Sequence, residues 1–191
     1  MRTEGRRWLL PAALTLLLLT VVGYAAVRLQ PQGSTLAAWW PSSGIAVAFL
    51  AWSPRRGRPP FLAAMPFAVA LGALWAGRPL PMSLGVGAAN AVGALVVLLL
   101  LTRRNSGRIR LQTLEDLWLL VVATVAASVV VGLLVGAALS SVSTEPLLRM
   151  ATTAGALNAA SVLLVAPLGM EVSGPRTGAR RAERVAQVVL V

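Results

Sequence analysis

The sequence contains no cysteine, no histidine and no lysine, and only six acidic residues. Without cysteine it can form neither a disulfide bond nor a thiolate nucleophile, and without histidine it lacks the commonest general base and the commonest metal ligand. Zinc or haem bound through these side chains is excluded for the same reason. We therefore expect no catalytic residue, no metal site and no cofactor within this chain.

Apolar residues dominate instead. Of the 191 residues 57% are hydrophobic and 12% are charged, and the mean hydropathy is +0.78, far above that of an ordinary soluble domain. A helix needs about 20 apolar residues to cross about 30 Å of hydrocarbon. Runs near or above that length cover residues 9–29, 36–53, 61–77, 82–102, 117–139 and 150–170, and a seventh begins at Val185. The sequence predicts an all-α, polytopic integral membrane helical bundle of six transmembrane helices plus the start of a seventh.

The arginines are distributed unevenly among the breaks between these runs. If the amino terminus is cytoplasmic, fourteen of the seventeen arginines lie in cytoplasmic segments, and only Arg28, Arg78 and Arg149 lie outside. Short cytoplasmic loops are enriched in basic residues, so this orientation is favoured. The same rule requires the 36–53 run to cross the membrane, since a run that turned back would leave twelve arginines outside. Because loop position explains the basic charge, we expect no nucleic-acid binding.

The 36–53 run contains an unusual polar stretch, residues 39–44, with the sequence WWPSSG. Proline fits the first turn of a helix and disrupts its interior, so we expect the regular helix to begin at Pro41. The thirteen residues from Pro41 to Ser53 make about 20 Å of helix, which is too short to cross the hydrocarbon. The amino terminus of such a truncated helix lies inside the outer leaflet, where its unpaired N–H groups can hold an anionic or polar group.

Two amides lie in other apolar runs at a similar depth. Asn90 and Asn158 come eight residues after Met82 and Met150, which begin their runs on the outer side, so each is about 12 Å below the outer edge. Amides inside a membrane face protein rather than lipid and often mark functional sites. We predict a pocket for an unknown small-molecule signal, lined by Trp40, Pro41, Ser42, Ser43, Gly44, Asn90 and Asn158.

The same residues also allow a purely structural interpretation, without a ligand pocket. Trp39 and Trp40 can belong to the aromatic belt at the outer membrane surface, with Pro41 in the first helical turn and Ser42 as a partial cap. Hydrogen bonds between helices are the commonest ordinary role of intramembrane amides. The glycines of Gly132-Leu-Leu-Val-Gly136 favour close helix packing within the chain and leave a homodimer open.

The order of several short motifs resembles the first type of bacterial membrane-associated sensor domain, the MASE family. The motifs are Trp40-Pro41-Ser42-Ser43-Gly44-Ile45-Ala46, Leu71-Gly72-Ala73, Asn90, Asn158 and Leu163-Leu164-Val165-Ala166-Pro167-Leu168. The resemblance covers the chain from about Leu14 to its end. Relatives usually carry an acid where Asn158 stands and a glycine near Ser161.

The resemblance implies a sensory input domain in the bacterial plasma membrane. Relatives typically have about eight spans, so we expect residues 1–191 to be a single sensor domain that is truncated at its carboxyl end. The resemblance also implies a cytoplasmic output domain after it, commonly a histidine kinase, a diguanylate cyclase or a cyclic-di-GMP phosphodiesterase. The lipid bilayer, a small signal and this output domain are then the expected partners.

The sequence leaves three functions other than a sensor domain open. A small-solute transporter or permease would also use a broken helix, but transporters usually carry coupling charges, and no charged residue lies deep in any predicted span. An intramembrane enzyme would have only serine or threonine nucleophiles without an evident base. A purely structural membrane anchor is the third alternative.

Overall fold

The computed structural model describes residues 8–31, 40–103, 109, 111–140 and 143–170. Within these ranges the chain is all-α and contains no β-strand. Six α-helices follow one another: α1 is Leu9–Arg28, α2 is Ser42–Trp52, α3 is Arg58–Trp75, α4 is Leu80–Thr102, α5 is Leu114–Leu139 and α6 is Leu147–Val165. Single 3₁₀ turns precede α3, at Arg55–Gly57, and follow α6, at Ala166–Gly169.

Five of the described helices, all except α2, are long and apolar enough to cross a membrane. This confirms the prediction of an apolar helical bundle. With 11 residues α2 measures about 16 Å, roughly half the hydrocarbon thickness. The residues before Trp40 in the predicted 36–53 span, and the predicted seventh span from Val185, lie outside the described residues.

Most of the helices begin two or three residues earlier than their predicted spans, because residues that interrupt an apolar run can still form a first helical turn. Helix α3 begins at Arg58 and includes Pro59 and Pro60, and α4 begins at Leu80 with Pro81 in its first turn. Proline suits these positions because the first N–H groups of a helix have no partner within the helix.

A capping box opens α5. The Thr113 hydroxyl accepts a hydrogen bond of 3.2 Å from the backbone N–H of Asp116, and the Asp116 carboxylate accepts one of 3.0 Å from the backbone N–H of Thr113. These bonds give Asp116 a structural role at the start of this helix. The negative charge also complements the helix dipole.

The long helices pack in the order α1, α3, α4, α5, α6, each against the next. The short helix α2 contacts α1, α3, α4 and α6, so it lies inside the arc that the long helices form. Eight of its 11 residues are buried. The truncated helix is therefore surrounded by protein, as backbone with unpaired polar groups requires at membrane depth.

Glycines let the helices approach closely. A Cβ added at Gly132 would overlap the backbone carbonyl of Ala151, and one added at Gly136 would lie 3.3 Å from the Ala151 side chain. This confirms that the small-residue spacing in α5 serves packing within the chain, here against α6. These contacts show that α5 and α6 run antiparallel, as α4 and α5 do, so α4 and α6 both begin at the end of the bundle that carries the α3–α4 connection, called the Arg78 end. The opposite end, where α3 and α5 begin, is called the Arg58 end.

Candidate functional site

Polar side chains from three helices meet around a small cavity near the Arg78 end. The cavity has a volume of about 40 Å³, room for two or three water molecules. Its polar lining comes from the start of α2, the α3–α4 connection, α4 and α6, and consists of Trp40, Ser43, Arg78, Asn90 and Asn158. Apolar side chains of α4, α5 and α6 line the rest. Four of the seven predicted site residues are thus brought together.

Asn90 ties α2 to α4. Its Oδ1 accepts a hydrogen bond of 2.8 Å from the Ser43 hydroxyl and another of 3.0 Å from the Trp40 indole N–H. Its Nδ2 donates to the Val86 carbonyl of its own helix at 2.8 Å. The side chain is 2% exposed, so these bonds replace those that water would make. Trp40 therefore turns toward the bundle interior, in contrast to the aromatic-belt alternative.

Asn158 has a different set of partners. Its Nδ2 donates a hydrogen bond of 2.9 Å to the Ser128 hydroxyl on α5. Among the described residues no donor reaches its Oδ1, although the side chain is only 3% exposed and lines the cavity. An amide oxygen has two lone pairs and is a good acceptor. Asn158 thus offers the cavity an acceptor, whereas both lone pairs of the Asn90 oxygen are used within the protein.

The other three predicted residues do not line this cavity. Pro41 is the amino-terminal cap residue of α2. The hydroxyl of Ser42 is fully buried and has no hydrogen-bond partner among the described residues, so it does not act as a cap. The backbone N–H of Gly44 donates a hydrogen bond of 2.9 Å to the Ser161 hydroxyl, and an added Cβ at Gly44 would overlap the Ser161 carbonyl. This stretch therefore fixes α2 against α6.

These contacts place the start of α2 well inside the bundle. Asn90 lies ten residues after the first residue of α4, about 15 Å along that helix. Ser161 lies fourteen residues after the first residue of α6, about 21 Å along it. Since Ser43 contacts Asn90 and Gly44 contacts Ser161, α2 begins at the depth of the intramembrane amides. The sequence prediction of a truncated helix that begins near them is confirmed.

Arg78 was not among the predicted site residues. It follows Gly77, whose φ of 96° lies in the left-handed region that favours glycine. The N–H of Gly77 donates to the Leu74 carbonyl and that of Arg78 to the Ala73 carbonyl, the pattern of a Schellman motif. This turn directs the chain back over the bundle, where the guanidinium donates a hydrogen bond of 2.8 Å to Gln30.

Burial affects the pKa of Arg78. The side chain is half-buried and lines the cavity, and this desolvation lowers the pKa of Arg78 from its ordinary value. An arginine nevertheless keeps its charge in proteins. The sequence does contain a signal for this residue, since Arg78 is one of three arginines on the side that the positive-inside rule leaves poor in basic residues.

Two larger grooves lie on the outer surface of the bundle. One, of about 410 Å³, lies between α5 and α6, and the other, of about 350 Å³, lies where α1, α2 and α6 meet. Apolar residues line most of both, and each groove includes a strongly exposed one, Val129 at 59% in the first and Leu29 at 80% in the second. A bilayer places lipid chains against such surfaces. The small cavity is the better candidate site because polar groups converge there.

The chemistry available in the cavity is that of binding. A guanidinium, an indole, a hydroxyl and two amides can donate and accept hydrogen bonds. In the part of the chain that the structure describes, no three acidic side chains come together as a group that could hold a metal ion. The arrangement can recognise a small polar molecule, with apolar walls that strengthen each polar contact by excluding water.

The family model for MASE1 matches residues 8–190. No curated protein and no solved structure matches the chain. Since the family match extends over nearly the whole sequence, the chain belongs to MASE1, a family of membrane-associated sensor domains.

Proposed function

We propose that this domain is the input module of a bacterial signal-transduction protein in the plasma membrane. A small signal enters the cavity at the Arg78 end and controls a cytoplasmic output domain that follows in the chain, either a histidine kinase, a diguanylate cyclase or a cyclic-di-GMP phosphodiesterase. The observation that carries the proposal is the convergence of Ser43, Asn90 and Asn158, from three helices, on one cavity.

The arginine distribution supports a cytoplasmic amino terminus and an external Arg78 end. Fourteen arginines fall on the cytoplasmic side in this orientation and three on the other. The chain then crosses the membrane repeatedly, and the cavity faces the extracytoplasmic half of the bilayer. A signal from outside the cytoplasm reaches the cavity without crossing the membrane.

The helix α2 connects the cavity with the cytoplasmic end. Its first residues contact Asn90 and Ser161, and near its last turn the Arg58 guanidinium donates a hydrogen bond of 3.0 Å to the Leu50 carbonyl. An added Cβ at Gly169 would overlap the backbone of Ala48, so the 3₁₀ turn after α6 lies directly against α2. A displacement of α2 therefore acts on the 3₁₀ turn that follows α6.

Binding produces a signal only if the ligand prefers one of two arrangements of the bundle. In the proposed mechanism a ligand beside Ser43 and Asn158 competes with, or adds to, the contacts that hold α2 against α4 and α6. A preference of about tenfold between the two arrangements corresponds to about 1.4 kcal/mol, which is close to the free energy of one or two hydrogen bonds. The bonds described at the cavity suffice for such a switch.

The test is the output of the full-length protein in cells grown under a panel of nutrient and pH conditions. We expect the wild-type output to change across the panel. The Asn158→Leu variant, which keeps the branching and the number of non-hydrogen atoms but removes the polar groups, should lose at least half of that change. The control variant Thr153→Ala alters an exposed hydroxyl on the same helix and is expected to respond like the wild type. Equal responses of wild type and Asn158→Leu would contradict the proposal.

A further inference from the structure

The side-chain oxygen of Asn158 is an acceptor that the protein leaves open. The Nδ2 of this amide donates to Ser128, whereas its Oδ1 receives no hydrogen bond from the described residues, although the side chain is more than nine-tenths buried. The Oδ1 of Asn90, in contrast, already accepts two hydrogen bonds. A buried acceptor without a donor costs free energy until a donor reaches it. The complement of Asn158 is therefore an O–H or N–H group.

The position of Gly93 shows where this oxygen points. A Cβ built on Gly93 would lie 4.0 Å from the Oδ1 of Asn158 and would overlap the Cγ2 of Val131. Gly93 follows Asn90 by about one turn of α4, so the oxygen faces the space between α4 and α5. Val131 and Asn158 both line the cavity. The open acceptor therefore adjoins an apolar wall of the cavity.

The volume of the cavity limits a ligand to very few atoms. One water molecule requires about 10–15 Å³, so a cavity of about 40 Å³ holds about three non-hydrogen atoms. Val86, Val135, Ala154 and Leu157 extend the apolar wall that Val131 begins. An ion would lose its hydration against such walls, and a carboxylate has no proton to donate to an amide oxygen. A neutral molecule with one donor and a short alkyl chain fits both features.

Resting on the proposed input function, we infer that the cavity binds a small alcohol of two or three non-hydrogen atoms, whose hydroxyl donates to the Oδ1 of Asn158. The alkyl group packs against Val131 and the neighbouring apolar residues. Burial of this group favours the alcohol over the water molecules that the same volume accommodates. Trp40 and Ser43 line the same cavity, so the bound alcohol lies beside the start of α2.

The experiment follows the occupancy of the cavity by fluorine NMR on the full-length protein, labelled with 5-fluorotryptophan, in lipid nanodiscs. Trp40 lines the cavity, and its resonance is assigned by its absence in the Trp40→Phe variant. Trp118 is 62% exposed and reports alcohol that dissolves in the surrounding lipid. Ligands of this size bind in the millimolar range at best, so each probe is titrated to about 100 mM.

The probes are methanol, ethanol, 1-butanol and acetonitrile. We expect methanol and ethanol to shift the Trp40 resonance saturably, and ethanol to bind about fourfold more tightly because one more CH₂ group is buried. 1-Butanol is too large for the cavity and should give no saturable shift at Trp40, although it partitions most strongly into lipid. Acetonitrile has as many non-hydrogen atoms as ethanol but no donor, and should bind at least about threefold more weakly than ethanol.

Two variants locate the site. Asn158→Leu is expected to abolish the preference for ethanol over acetonitrile. Val131→Ala removes two carbon atoms beside the open acceptor and is expected to admit 1-butanol. Thr153→Ala changes an exposed hydroxyl on the same helix as Asn158 and is the matched control, with all dissociation constants within about twofold of wild type.

Three results on the wild type would overturn the inference. They are an unshifted Trp40 resonance with both small alcohols, which would mean that the cavity holds water only, an affinity that rises steadily through 1-butanol, as partition into lipid predicts, and equal binding of acetonitrile and ethanol. A preference for ethanol that survives Asn158→Leu, or a Val131→Ala variant that binds ethanol but still excludes 1-butanol, would also overturn it. None of these results affects the proposed input function, because the cellular output test assumes no particular ligand.

Discussion

The Ser43 hydroxyl donates a hydrogen bond of 2.8 Å to the Oδ1 of Asn90, which joins the first turn of α2 to the middle of α4. The two residues are 47 positions apart in sequence and are both buried. The bond explains why an apolar run contains a serine two residues after a proline, since the truncated helix needs a polar attachment where it begins. The Trp40 indole shares the same acceptor.

We predict that Asn90→Leu destabilises the protein by about 1–3 kcal/mol, because the buried Ser43 hydroxyl and the Trp40 indole lose their acceptor. The measurement is reversible unfolding in mixed micelles by titration with denaturing detergent. A double-mutant cycle with Ser43→Ala should give a coupling of about 0.6–1.7 kcal/mol, the range of hydrogen bonds between membrane helices. A coupling of zero would show that the bond contributes nothing.

Gly44→Ala is expected to destabilise the bundle by about 1–3 kcal/mol, since the added methyl group overlaps the Ser161 carbonyl and lies 2.7 Å from the Val165 Cβ. The matched control is Gly23→Ala in α1, where the nearest atom is 3.8 Å from the new Cβ. Alanine has the higher helix propensity, so this control should be neutral or stabilising by up to about 1 kcal/mol. Similar effects of the two substitutions in the same unfolding assay would contradict the close contact.

Arg58→Met should cost about 1–3 kcal/mol of unfolding free energy. It removes a charged donor from the Leu50 carbonyl and a positive charge from the carboxyl end of α2. Methionine keeps an unbranched apolar stem, so little packing is lost. Arg56→Met changes an exposed arginine in the preceding turn and should alter stability by less than about 0.5 kcal/mol. If Arg58→Met and Arg56→Met change the free energy of unfolding by the same amount, the Arg58 contact does not stabilise the protein.

Gly77→Ala tests the turn that positions Arg78. An added Cβ meets no atom within 4 Å, so the whole cost comes from the φ of 96° and should be about 1–2 kcal/mol. Asparagine tolerates this conformation better, and Gly77→Asn should lose clearly less stability than Gly77→Ala. Circular dichroism melts of both variants in the same detergent provide the comparison. Equal melting temperatures would argue against a left-handed turn at this position.

Helix identity could be predicted from hydropathy because each long helix is a continuous apolar run. The helix starts were less predictable, as α3 shows. The apolar run predicts a helix from residue 61 and leaves Pro59 and Pro60 in the break, whereas both occupy the first turn, where proline costs no hydrogen bond. The composition of a break therefore does not distinguish a loop from the first turn of a helix.

The site was predictable in part. The sequence predicts that Asn90 and Asn158 lie at similar depth, and it contains no sign that their hydrogen-bond partners differ. That difference arises from the partners, which are separated from them by 50 positions for Trp40 and by 30 for Ser128. Arg78 was missed because it lies in a polar connection, and only its placement on the arginine-poor side distinguished it.

Because α2 is enclosed by other helices, it has little contact with lipid. A helix that faces lipid must tilt or stretch its surroundings when bilayer thickness changes. With eight of 11 residues buried by neighbouring helices, α2 is largely shielded from such hydrophobic mismatch. Fluctuations in lipid composition act first on the five outer helices, so the central helix is suited to report the occupancy of the proposed binding site in membranes of differing thickness.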